Sequence, residues 1–241
     1  MKDTAGKKCL TLPLLFIALL TVPGMISCTT STSGRVIDWV NFVHFGGITY
    51  LAVTPKPGRA LNASDLGPIF AKVQFKLEGN VQNPEYQSKD GDAAFLNAGT
   101  SVYTLKGYSP SFRLAAWANK ALTLYEADTN PRARKGGDLL DIGGKVSSIA
   151  IVSEQDGVSK LGAIKDPQQI AMLVNLILTA PVDQKRQPGN QRYFLVFRLL
   201  DGTSVTRAYW QDTRELARGI LLSPAFAMAI GEVYACLNPC L

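Results

Sequence analysis

From Val36 to about Gly144 the apolar residues recur at alternate positions or in short runs, and turn residues break them up. Residues 36–45, then Gly46-Gly47, then residues 48–53 predict a β-hairpin, because Gly-Gly accepts the positive φ angles of a two-residue turn. That register sets Phe45 opposite Ile48, His44 opposite Thr49 and Val43 opposite Tyr50, with Phe42 facing Leu51 on the other side. Both faces are apolar, which predicts a central place in its sheet. Ile69, Ala71, Val73, Phe75 and Leu77 alternate with Lys72, Gln74 and Lys76, the pattern of a half-buried strand. Short strands follow near 101–108, 112–117 and 122–126. Asp90-Gly91, Ala98-Gly99, Ser109-Pro110 and Asn130-Pro131 supply the turns. Short strands at this spacing predict a small β-barrel or sandwich.

After Gly143-Gly144 the pattern changes. Residues 146–152 read as a strand. Asp166-Pro167 opens a helix, with Asp as N-cap and Pro at the first helical position. Ile170, Leu173, Val174, Ile177 and Leu178 then recur at helical spacing until Pro181 stops them. Residues 192–200, Asp201-Gly202 and residues 203–210 predict a second hairpin with a two-residue turn. Ser223-Pro224 starts a last helix whose inner face is Phe226, Ile230, Val233 and Leu237. The expected fold is α+β: a β domain over 36–144, then a two-layer α+β domain over 145–241.

The first 35 residues fit neither pattern. Lys7 and Lys8 precede an apolar run from Leu10 to Val22, followed by Pro23-Gly24 and Met25-Ile26-Ser27-Cys28. A basic start, a short apolar segment and a small residue before the break form a secretory signal over 1–27. The run is short for a membrane span. Met25-Ile26-Ser27-Cys28 resembles the lipobox of bacterial lipoproteins. The resemblance implies that the chain is cut before Cys28, that Cys28 carries fatty acyl chains such as palmitate, and that the protein sits on the extracytoplasmic side of the cell membrane. Two acyl chains meet the physical need of stable anchoring, since one binds only marginally. The Ser/Thr-rich residues 28–35 then form a tether.

Charge narrows the partners. The whole chain carries 25 basic and 19 acidic residues. Losing Lys2, Lys7 and Lys8 with Asp3 leaves 22 basic and 18 acidic residues, a net charge of +4. That suits anionic envelope polymer or another envelope protein beside the membrane, and it is too small to argue for nucleic acid. Cys9 leaves with the signal. Cys236 and Cys240 flank Leu237-Asn238-Pro239; in an oxidising compartment they either close a small disulfide clasp or stay as two thiols.

Motifs for catalysis are sparse. His44 is the single histidine and no nucleophile turn accompanies it, so it reads as a packed or strand-surface residue. Asp90-Gly91-Asp92 is half of a calcium loop without its remaining ligands. Asp138 and Asp141 are close in sequence, but nothing sets them across a cleft as paired carboxylates. The three Gly-Gly pairs lack the surroundings of a phosphate loop or dinucleotide fingerprint, and no metal or cofactor is expected. The suggestive surface is the second hairpin. In the two-residue-turn register, Phe194, Val196, Arg198, Arg207 and Tyr209 share one face. Such a face either packs on the β domain, with acids against its arginines, or offers a shallow site for an anionic or sugar-containing polymer. The leading expectation is a non-catalytic binding or accessory lipoprotein. The alternative is a cell-envelope hydrolase using carboxylates of the β domain.

Overall fold

The computed structural model describes residues 37–53 and 58–235, all within one compact unit; Cys28, Cys236 and Cys240 lie outside the described residues. The protein is mostly β-sheet, in two sheets with two α-helices among the described residues.

The first sheet has eight strands. Strands β1 (Phe42–Phe45) and β2 (Ile48–Ala52) form the first hairpin, with Phe45 against Ile48 and Val43 against Tyr50. Gly46 and Gly47 turn it at φ of 58° and 70°, angles that glycine adopts without steric cost. The others are β3 (Leu66–Lys72), β4 (Phe75–Lys76), β5 (Asp92–Ala93), β6 (Ser101–Leu105), β7 (Arg113–Ala118) and β8 (Ala121–Thr129). Their order is β3-β6-β7-β8-β2-β1-β5-β4, so β1 and β2 lie inside the sheet, where two apolar faces can both be covered. Strands β3 and β4 stand at opposite edges, yet Val73 and Gln74 alone separate them. The sheet therefore curls as a half-barrel, and these two residues join its edges.

The expected single strand over 69–77 is interrupted at this crossing. Pro68 suits an edge strand because it donates no ladder bond. The β3–β6 pairing shifts register twice, between Leu66 and Ile69 and again between Ile69 and Ala71. Each irregularity disturbs the inward–outward alternation. Val73 and Leu77 are buried as expected, but Ile69 and Phe75 are exposed.

The second sheet has six strands: β9 (Val146–Val152), β10 (Lys160–Ile164), β11 (Arg192–Leu199), β12 (Ser204–Trp210), β13 (Glu215–Leu216) and β14 (Ile220–Leu221), in the order β10-β9-β11-β12-β13-β14. Helices α1 (Pro167–Thr179) and α2 (Pro224–Ala235) pack on it. Asp166 caps α1 by accepting the Gln169 N–H at 2.7 Å, and Ile170, Leu173, Val174 and Ile177 form its buried stripe. Phe226 and Ile230 of α2 join the same core. Strand β10, at the sheet edge, was not foreseen.

Hairpin β11–β12 differs from its sequence register by one residue. Leu199 N–H bonds the Thr203 carbonyl at 2.9 Å, so the loop is Leu200-Asp201-Gly202, three residues rather than two. Gly202 takes φ 82°, the left-handed position such loops require. Tyr209 now pairs with Tyr193 and Arg207 with Leu195. A one-residue slip moves side chains to the opposite face.

The expected boundary at Gly143-Gly144 divides the strands, since one sheet ends at Thr129 and the other begins at Val146. It does not divide the packing. Phe112, Leu139, Leu140 and Ile142 are buried in the core of the second sheet together with Ile149, Phe197 and Phe226.

Candidate functional site

The two sheets meet at a cluster of charges. Arg113 and Glu126 are cross-strand partners on β7 and β8. Both are buried, at 0% and 5% exposure, so each must find a partner. Glu126 Oε1 accepts from Arg113 Nε at 3.0 Å and Nη2 at 2.6 Å. Its Oε2 accepts from Arg207 Nη1, on β12, at 2.8 Å. Arg113 also donates to Thr203 Oγ1 at 3.0 Å and to the Ser204 carbonyl at 2.8 Å, and its guanidinium lies 4.8 Å from the Tyr108 ring centre. The Tyr108 hydroxyl donates to Asp201 Oδ2 at 2.8 Å. Asp201 Oδ1 accepts the Thr203 N–H and hydroxyl, which fixes the β11–β12 loop against the first sheet.

Beside this cluster is a cavity of about 280 Å³. Glu126, Asp128, Arg207 and Arg218 supply its charges, and Leu51 and Val196 part of its apolar wall. Arg218 pairs with Asp128. It sits in the β13–β14 turn at φ 80°, a conformation that a non-glycine residue holds only when its surroundings impose it. The cavity lining balances, two guanidiniums against two carboxylates, and Arg113 behind it is matched by Glu126 and Asp201. Burial pushes the Glu126 carboxyl up, but the charges of Arg207 and Arg113 outweigh it and hold the group below its usual range. Burial raises Asp128, and Arg218 and Arg207 only partly offset it. Burial likewise lowers Arg218.

Two acids with pKa values pushed apart are the pattern of an acid–base pair. Here both oxygens of Glu126 are engaged by arginine, and Asp128 is held in an ion pair. A general base needs an oxygen within reach of a substrate proton. As they stand, the seam acids neutralise the arginines, and an anionic group would enter only by displacing Glu126 or Asp128 from Arg207 or Arg218.

The face expected on the second hairpin does not form. Tyr209 is buried in the main core, with its ring 5.6 Å from Phe226. Phe194 packs with Ala150, Val152 and Val196 on the opposite face of the sheet, and the Arg192 guanidinium lies 5.2 Å from its ring. Arg198 is exposed. Of the four residues, Arg207 alone reaches the seam. The one-residue register slip is the cause.

His44 is bound within its hairpin: Nδ1 lies 3.0 Å from Thr49 Oγ1, and Nε2 lies 3.5 Å from Asp90 Oδ1, which accepts the Gly47 N–H. Asp138 accepts the N–H groups of Arg134 and Lys135 and so serves its own turn, while Asp141 pairs with Lys145 and accepts the N–H of the distant Ser109, tying that turn to its own segment. Sequence reasoning missed Arg113, Glu126, Asp128 and Arg218. One signal was present: Arg113 interrupts the apolar run Phe112-Arg113-Leu114-Ala115-Ala116, and a charge inside a buried strand demands a partner.

Comparison with protein-family models finds no match, and comparison with curated proteins and with solved structures finds none either.

Proposed function

We propose that this protein is a membrane-anchored extracytoplasmic lipoprotein with a binding or accessory role and no catalysis of its own. Met25-Ile26-Ser27-Cys28, after a basic and then apolar leader, supports the anchor at Cys28. The observation that carries the non-catalytic reading is the complete engagement of Glu126 by two arginines in the cavity at the seam. Arg207 and Arg218 on its wall are the groups that an anionic envelope ligand would engage in place of their acids. In this reading the fold is α+β, with the half-barrel as a β unit and the six-stranded sheet under α1 and α2 as a two-layer unit. A hydrolase working through Glu126 and Asp128 is the second reading, favoured by the opposite pKa shifts of the two acids.

Detergent phase partitioning of wild type and Cys28→Ala, expressed in a bacterium that processes lipoproteins, tests the anchor. Wild type is expected in the detergent phase and Cys28→Ala in the aqueous phase. Equal partitioning of the two removes the anchor. Pull-down on isolated envelope fractions then reads the cavity: Arg218→Ala is expected to bind less, and the difference to shrink at high salt.

A further inference from the structure

Where the first sheet curls, β4, β5 and the loop between them border an open groove of about 580 Å³, apart from the seam. Between its lining residues Asp90 and Asp92, Gly91 sits at φ 93°; its carbonyl accepts the Gln74 and Phe75 N–H groups and its own N–H bonds the His44 carbonyl at 2.9 Å. A Cβ there would also meet the Gln74 side chain at 2.6 Å.

Three features of this groove point to one ligand chemistry. The first is a buried carboxylate with spare capacity. Asp92 is 3% exposed, yet it lines the groove. Its Oδ2 accepts the Tyr86 hydroxyl at 3.0 Å and the Lys89 N–H at 2.7 Å. Its Oδ1 receives no hydrogen bond from any described residue and is not among the fully buried oxygens left without a partner, so it stands open to accept from a bound donor. The second is a set of side-chain amides, Gln74, Gln82 and Asn83, along the walls. Each amide both donates and accepts, the complement of a hydroxyl group. The third is aromatic: Phe75 is 39% exposed at the groove, an apolar ring with no core to fill there.

Charge removes other ligand classes. Lys89 stands beside Asp90 and Asp92, so the groove is net negative by one and repels an anionic polymer. A hard cation would use Asp92 and the amide oxygens but would leave the amide N–H groups and the Phe75 ring without a role. We propose that this groove binds a neutral saccharide, with Asp92 Oδ1 and the amides taking its hydroxyl groups and Phe75 covering an apolar face of a sugar ring. The proposal is independent of the anchor and of the seam cavity.

The test is calorimetric titration of the purified full chain with chitotriose and maltotriose, against a sulfated trisaccharide and trilysine. At least one neutral trisaccharide is expected to bind, and neither charged probe to compete. Phe75→Ala is expected to weaken binding about tenfold with an unchanged melting temperature, because its ring is substantially exposed. Gln82→Ala, at an exposed position, is expected to weaken it several-fold and serves as the deciding variant if Phe75→Ala unfolds. Arg218→Ala should bind like wild type. Binding of trilysine alone, no binding of either neutral probe, or neutral binding that Gln82→Ala and a folded Phe75→Ala leave intact would each overturn the proposal. None of these outcomes depends on lipidation at Cys28.

Discussion

Glu126 is the residue on which the seam depends. Removing its charge leaves Arg113 fully buried without a counter-ion, and breaking a buried pair in this way costs about 3–5 kcal/mol. Glu126→Gln keeps the shape and isolates the charge, so urea denaturation at neutral pH is expected to show a loss of that order. The sign of the pH dependence follows from the lowered pKa. The folded carboxyl titrates below its unfolded value, so its contribution is complete above the ordinary carboxylate range and fades as pH falls through the folded pKa. Asp65 has the same sign, its carboxyl held down first by the Arg59 hydrogen bonds. Asp128 has the opposite sign: burial raises it, so protonation on the way down relieves a cost rather than adding one. Stability of the wild type should therefore fall on acidification, and Glu126→Gln should fall less steeply. Parallel acid slopes for the two proteins would show that Glu126 is not held by its arginines.

At the scale of elements, the hairpin β11–β12 shows how one loop residue decides a surface. The dipeptide Asp201-Gly202 suits a two-residue turn, yet it also supplies what a three-residue loop needs. Asp201 caps the Thr203 N–H at 2.8 Å, and Gly202 accepts the left-handed angle. The longer loop wins because it sends Leu195, Phe197, Val205 and Tyr209 into one core, where all are at most 1% exposed. Gly202→Ala forces an L-residue into that angle, at about 1–2 kcal/mol. A thermal melt is expected to show this loss with the fold retained. A variant that melts with the wild type would mean that the loop angle is not under tension. Helix α1 needed no such arbitration, because its cap, its first-turn proline and its apolar stripe all agree.

For the whole molecule, the shared core matters more than the division of strands. A fragment of residues 145–241 lacks Phe112, Leu139, Leu140 and Ile142, and it loses the partners of Arg207. Burying a side chain of this kind contributes about 1.5–3 kcal/mol, and domains are only marginally stable. Each half expressed alone is expected to be aggregation-prone or protease-sensitive, and co-expression of the halves to restore protection. Two well-folded, independent halves would show that the shared core is dispensable.

What the sequence determined by itself was local. The β1–β2 register follows from Gly46-Gly47 and the alternation around it. The extent of β9 and the start of α1 follow from apolar periodicity and an Asp-Pro cap, because all of these are settled within a few residues of chain. The expected leader and the proposed anchor at Cys28 also rest on a contiguous motif, outside the described residues. Tertiary structure decided whatever two distant segments had to settle between them. The choice of loop at Asp201-Gly202 depended on the core beneath it, so the face of Phe194, Arg198, Arg207 and Tyr209 could not be read from alternation alone. Arg113 and Glu126 are 13 residues apart, and Arg207 is 81 residues beyond Glu126. Their meeting was written only as isolated charges in apolar strands. The groove at Asp92 arises because the sheet curls until Val73 and Gln74 join its two edges, and curvature is a property of the assembled sheet rather than of any one strand.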